Sequence, residues 1–221
     1  MSLSHHLVRD LVGNLIGANE VFRRHGIDFY RIGGQALWEA AARQNISVDL
    51  LIEELSELRP NSSPPPTSTM GLMTYIDTRY HTVHRKHLLS AIGLAKAIDM
   101  KTVHTPECPA GLANLLILLF DTLEEHQSSE ENNLYPAILS SPQHTLRYPV
   151  ARAIMEHDEI SDQLDTLVRL TGNYTPPEGA RQSLRVLFKL CSLLDGDLRL
   201  HMHLENNLLY PPFVDEGAMA S

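Results

Sequence analysis

The 221-residue sequence predicts an all-α protein, an antiparallel four-helix bundle preceded by a small helical domain. Three observations carry that expectation. Apolar residues over the larger, C-terminal part of the chain recur at three- and four-residue spacing, and nothing there alternates with the two-residue period of a strand. A proline- and serine-rich run, Arg59-Pro60-Asn61-Ser62-Ser63-Pro64-Pro65-Pro66-Thr67-Ser68, cuts off a short first segment. Finally, a His-x3-Glu motif followed by Leu-Tyr-Pro occurs twice, as if each half of the larger part were one helical hairpin.

The first segment, residues 1–58, reads as short helices. Ala18 to His25 and Gln35 to Arg43 carry apolar residues at helical spacing, with Gly26 and Gly33-Gly34 as stops. Asn45-Ile46-Ser47 offers a new N-cap for a helix from Val48 to Leu58, and Asp49 in its first turn suits the helix dipole. So small a core is marginal alone. The segment is therefore expected to dock on the larger domain or on a second copy of the chain, which makes a homodimer an expectation. Residues 59–69 form an extended linker, because their prolines hold neither helix nor central strand.

Residues 70–216 read as four long helices. The first runs from about Met70 to Ala97. The second begins after Thr105-Pro106-Glu107 and passes through Leu115, Ile117, Leu118 and Leu119 to about Asn133, closed by Pro136. A third starts near Pro149, a residue favoured at the first helical position, and ends at Gly172. The fourth opens on the capping-box pattern Thr175-Pro176-Pro177-Glu178 and ends before Pro211. Four long helices with short connections make an antiparallel bundle.

Composition narrows the function. A hydrophobic fraction of 43% and a mean hydropathy of −0.15 describe a globular chain. No apolar run approaches the roughly 20 residues that span a bilayer, and the N-terminus shows no secretory pattern, so no membrane partner and a cytoplasmic location are expected. The net charge of −9 argues against a nucleic-acid partner, whose phosphates require a basic face. The short cluster Arg85-Lys86-His87 reads as a solvated helix face. Two cysteines, Cys108 and Cys191, make neither a disulfide framework nor a thiolate metal cluster, and Cys191 reads as a small core residue. Twelve histidines are the unusual feature.

The repeat organises them. His126-Gln-Ser-Ser-Glu130-Glu-Asn-Asn-Leu134-Tyr135-Pro136 aligns without gaps on His201-Met-His-Leu-Glu205-Asn-Asn-Leu-Leu209-Tyr210-Pro211. His81 lies 45 residues before His126, and His157 lies 44 before His201, so the halves are offset by 76 and 75 residues. Residues four apart on a helix sit about 40° apart around the axis and about 6 Å along it. His and Glu at that spacing can therefore grip metal ions from one face. The midpoint between His81 and His126, position 103, falls in a loop, as does the midpoint between Glu130 and His157, near 143. In antiparallel hairpins each pair then sits at one level. Only the pair His157 and His201 fits poorly, because its midpoint, 179, lies past the capping box of the fourth helix.

The donor set is thus four imidazoles and two carboxylates: His81, His126, Glu130, His157, His201 and Glu205. Imidazole suits iron, zinc, copper or nickel, and carboxylates favour harder ions and bridge two of them. The first choice is a pair of iron ions, with manganese second and zinc third. Two bridging Glu and two His on each metal leave positions for a solvent-derived oxo or hydroxo bridge and an exogenous ligand. The remaining histidines take the ordinary reading: His5, His6, His25, His104 and His144 near termini or loops, and His84, His87 and His203 as neighbours of ligands. Asn132-Asn133 and Asn206-Asn207 read as helix terminators, Tyr135 and Tyr210 as packing residues. Tyr80 and Glu156, next to ligands, are candidates to orient them.

Arg79-Tyr80-His81, His126-x3-Glu130, Glu156-His157-Asp158-Glu159 and His201-x3-Glu205-Asn206-Asn207 resemble the motifs of hemerythrin-like domains. The whole chain is similar to the RIC (YtfE/ScdA/DnrN) family of iron-sulfur cluster repair di-iron proteins. Phe22-Arg23-Arg24-His25-Gly26-Ile27-Asp28-Phe29 with Gly33-Gly34-Gln35-Ala36-Leu37 matches that family's short N-terminal ScdA-type domain. The family's six ligands fall on the six positions picked out by spacing. Two departures matter. Tyr30-Arg31-Ile32 stands where relatives carry a Cys-Cys pair, and Ser161 stands four residues after His157 where oxygen-carrying hemerythrins have a further His. The resemblance implies a stress protein that binds nitric oxide or oxygen and helps restore damaged iron-sulfur proteins, its clients. It also leaves open reduction of nitric oxide to nitrous oxide, which needs two electrons, and a sensing module without turnover.

Overall fold

The computed structural model describes residues 2–101, 108–142 and 145–214, and among them the regular secondary structure is helical apart from two isolated bridges, Leu7 with Ala36 and Leu15 with Pro60. The expected fold class is borne out. Expectations for His104, His144, the midpoint 103 and the midpoint near 143 fall outside the described residues, and the second helix, expected to begin after Glu107, starts at Leu112. The chain divides into two compact units, Met1–Tyr75 with Arg199–Pro212, and Ile76–Leu198 with the C-terminal tail.

In the first unit lie α1 (Val8–Asn14), α2 (Ala18–Arg24), α3 (Leu37–Arg43), α4 (Val48–Ser56) and α5 (Thr69–Ile76), which ends one residue past it. Helix α1, whose start is pinned by Val8 and Arg9 N–H groups donating to the carbonyls of Gln35 and Gly33, has no counterpart among the expected helices. Val8, Leu11, Phe22, Phe29, Tyr30, Leu37, Leu51 and Leu55 are buried, so helices too short to persist alone share one small core. Gly26, at φ 67, ends α2 as expected, because only a residue without Cβ sits there freely. Gly33 and Gly34 do not act as stops. Gly33 lies so close to Asn207, at the other end of the same unit, that a Cβ would fall inside its carboxamide. The first segment thus packs on residues Arg199–Pro212 of its own chain.

The second unit is the bundle: α6 (Thr82–Lys101), α7 (Leu112–Ser129), α8 (Tyr135–Ser140), α9 (Arg147–Leu170) and α10 (Gln182–Leu204), the last of which runs on into the first unit. Each helix has one apolar stripe: Leu88, Ala91 and Ala95 on α6, Leu112, Leu116, Leu119 and Leu123 on α7, Val150, Ile160, Leu164 and Leu167 on α9, Leu184, Leu187, Cys191, Leu194 and Leu198 on α10. Two ladders of contacts fix antiparallel neighbours. His81 meets Glu131 while Arg85 meets Glu124, and His126 meets Glu156 while Thr122 meets Gln163.

Two helix ends differ from expectation. Pro136 does not close the second helix, which continues through α8 to Ser140. A widened turn precedes Pro136, so proline occupies an early helical position where no backbone N–H is required. The fourth helix begins at Gln182, not at the Thr175 capping box, because Gly179, in what would be its first turns, adopts positive φ. Position 179 therefore lies in the connection between α9 and α10.

Candidate metal centre

The ligand candidates extend the apolar stripes. His126 follows Leu119 and Leu123 along α7, His157 precedes Ile160 and Leu164 along α9, and His201 follows Leu194 and Leu198 along α10. Helix periodicity thus carries polar groups into the core, and all six candidates are buried, none more than 2% exposed. Buried polar groups must find partners, so such a cluster needs its own satisfying arrangement.

Within the second unit, His126, Glu130 and His157 each place one donor atom within 4.8 Å of the others. His126 Nε2 and His157 Nε2 are 3.0 Å apart. Glu130 faces two ways: its Oε1 lies 3.3 Å from His126 Nε2 and its Oε2 lies 3.5 Å from His81 Nε2. A carboxylate whose two oxygens address imidazoles from two different helices has the form of a bridge between two cations. In the first unit, His201 Nε2 stands 2.9 Å from Glu205 Oε2 at the end of α10.

The outer nitrogens of two ligand candidates are held by carboxylates. His81 Nδ1 donates to Glu131 Oε1 at 2.8 Å, and Arg85 Nη1 donates to the same oxygen at 2.9 Å. His126 Nδ1 donates to Glu156 Oε2 at 2.9 Å, and Arg152 Nε donates to Glu156 Oε1 at 2.8 Å. The hydrogen bond from His81, with Arg85 adding to it, pulls the Glu131 carboxyl down to about 2. The bond from His126, with Arg152, does the same for Glu156. Each imidazole is thereby fixed in the tautomer that leaves Nε2 as a lone pair facing Glu130. Glu156 contacts the ring of a ligand candidate on a neighbouring helix, His126, and not that of His157 beside it. Tyr80 packs its ring on His84 instead. Asp77, His81 and Glu131 also cluster, but the Arg85 guanidinium on Glu131 repels a cation there.

The most similar local geometry recurs in the backbone. Residues Asp77–His81, Glu130–Leu134 and Glu205–Leu209 are π turns, closed by N–H groups of Thr82, Tyr135 and Tyr210 donating five residues back to Asp77, Glu130 and Glu205. Such one-residue insertions favour functional sites because they re-aim a side chain without ending the helix. Here each π turn begins or ends on a ligand candidate. A model described as the hemerythrin HHE cation binding domain matches residues 73–218. The chain belongs to the hemerythrin family. Within it, the iron-sulfur cluster repair protein YtfE of Yersinia pestis (strain Pestoides F) is 36% identical over 198 residues, 88% of this chain and 90% of that protein. The protein of the same name from Yersinia pseudotuberculosis serotype O:1b (strain IP 31758) matches with the same identity and coverage. These relatives place the chain in the RIC family.

Two cavities of this hemerythrin-family bundle reach ligand candidates. One of about 530 Å³ is walled by Leu134, Ala137, Tyr148, Pro149 and Ala153 and ends at Glu130. The other, about 370 Å³, reaches His126 past Asp121, Glu125 and Glu159. The Arg152–Glu156 pair borders both. The sequence alone singled out neither Glu131 nor Arg152, and Arg85, expected on a solvated helix face, is instead partly buried and pairs with Glu124 and Glu131. The signal for Glu131 and Arg85 was their place next to, or four residues from, a ligand candidate, whereas Arg152 lies four residues before Glu156. Sequence reading also gave His203 and Asn207 ordinary roles, yet both are buried in the first unit. His203 packs its ring at a tilt on Phe29 with ring centroids 5.6 Å apart, and burial pushes its imidazole down to about 4, so it is neutral. Among the described residues no helix is long and apolar enough to cross a membrane.

Proposed function

We propose that this chain is a cytoplasmic di-iron protein that binds nitric oxide and supports the repair of iron-sulfur clusters damaged by nitrosative or oxidative stress. His81, His126, Glu130, His157, His201 and Glu205 hold the two ions. The observation that carries the reading is Glu130, with one oxygen toward His81 and the other toward His126 while carboxylates hold the far side of both rings. The repeat supplies Glu205 as the matching carboxylate, and α10 runs unbroken from Gln182 to the turn that bears it. Oxygen and nitrogen donors without a thiolate suit iron in both ferrous and ferric states. The name of the relatives supports the repair role, with iron-sulfur proteins as clients.

When bound, the iron pair supplies a landing place for a diatomic ligand and up to two electrons. The chain's own residues do the rest. Glu131 and Glu156 fix the orientation of His81 and His126, and Arg85 and Arg152 hold those carboxylates in place. The mainly apolar walls of the larger cavity suit a neutral gas better than an ion, whose desolvation there is costly. Anaerobic titration of the reduced, iron-loaded protein with nitric oxide should give new visible bands that saturate at no more than about two equivalents per chain. The same protein should restore activity to a nitric-oxide-inactivated iron-sulfur enzyme. An unchanged spectrum would overturn ligand binding, and absence of reactivation would overturn repair.

A further inference from the structure

We propose that the N-terminal segment is a clamp on the turn that carries Glu205, with Asn207 as its positioning residue, and that it sets how readily metal leaves the centre. This rests on the di-iron reading above. The internal repeat provides the comparison. Asn132 and Asn207 occupy the same place, two residues past Glu130 and Glu205, in the two matching π turns. Both carboxamides donate to the carbonyl four residues back, Asn132 to Ser128 at 2.8 Å and Asn207 to His203 at 3.2 Å. There the likeness stops. Asn132 is exposed, and it also donates to the Ser128 hydroxyl on its own helix. Asn207 is buried and donates across to the main-chain carbonyl of Tyr30 at 2.9 Å.

The surroundings are built for that contact. Gly33 leaves out the Cβ that the Asn207 carboxamide would otherwise strike. Where the first half has Ser128, the second has His203, whose ring packs on Phe29 and whose Nδ1 lies 3.4 Å from the Phe29 carbonyl. The loop that supplies Phe29, Tyr30 and Gly33 is itself anchored, because Phe29 and Tyr30 are buried and the Gly33 and Gln35 carbonyls accept from Arg9 and Val8 N–H groups. A widened turn has weaker internal restraint than an α-helix. An external tie two residues from Glu205 therefore holds that carboxylate in position. The tie uses the backbone of Tyr30, so Tyr30-Arg31 in place of a cysteine pair leaves the clamp intact.

The test is iron release from the full-length, iron-loaded protein to a ferrous chelator under reductant, far below the melting temperature. Asn207→Ala removes the donor and strands a buried carbonyl, and Gly33→Ala displaces the carboxamide. Each should release iron about tenfold faster than wild type and shift its visible absorption, while Asn132→Ala should match wild type in both. If wild type binds no iron, the di-iron reading fails before the clamp is reached. If wild type holds two irons and Gly33→Ala and Asn207→Ala release them at the wild-type rate, the clamp alone is overturned. Equal acceleration in Asn132→Ala also overturns it, since the effect would then be general loosening of π turns. Should Asn207→Ala not fold, Gly33→Ala with the Asn132→Ala control decides the question.

Discussion

The two carboxylates that meet His81 and His126 from behind have consequences at the scale of single residues. Glu131 and Glu156 lie next to ligand candidates in sequence, Glu130 and His157, yet each serves a histidine on another helix. Helix geometry explains this: adjacent residues point about 100° apart, so one faces the centre and the next reaches the ring of a neighbour. Glu131→Gln and Glu156→Gln should each weaken iron binding about 10- to 100-fold in chelator competition, the range typical of outer-sphere partners. Unchanged affinity in both would remove them from the account. Cys191 is a second case. It is fully buried, and burial pushes its thiol up to about 12. It should resist iodoacetamide in the folded protein at neutral pH and react once denatured, with mass spectrometry as the readout. At this scale the six candidate positions were legible because a repeated spacing exposes them, whereas Arg85 and Arg152 carry no pattern of their own.

Among the elements, the π turns decide most. Apolar periodicity shows where helices run, and it placed α7, α9 and the body of α10 within a few residues, while it ran α5, the π turn Asp77–His81 and α6 together as one helix. It does not show a one-residue insertion, because the buried stripe resumes on the far side, at Tyr135 and Ile138 after Glu130–Leu134. For the same reason Pro136 looked like a terminator and is instead an early residue of α8. Pro136→Ala should consequently change stability by less than about 1 kcal/mol in denaturant unfolding, far from the roughly 3 kcal/mol of an interior helical proline. Leu119→Ala, on the buried stripe of α7, should cost about 2–5 kcal/mol by the same measurement. The capping-box motif at Thr175 failed for a local reason too: the chain enters positive φ at Gly179, which no helix admits.

For the whole molecule, the expectation that the first segment must dock somewhere followed from its small core. Its seat did not, because Gly33 and Asn207 are remote in sequence and the contact between them leaves no periodic trace. Family membership adds what geometry alone does not, namely that chains similar to this one carry the name of iron-sulfur cluster repair proteins. The central claim is the shared di-iron centre, and iron quantitation on protein from iron-supplemented cells tests it most directly. The account predicts about two irons per wild-type chain and clearly less in both His126→Ala and Glu205→Ala, with both variants still helical by circular dichroism. Wild-type protein without iron, or full iron content in both variants, would contradict it.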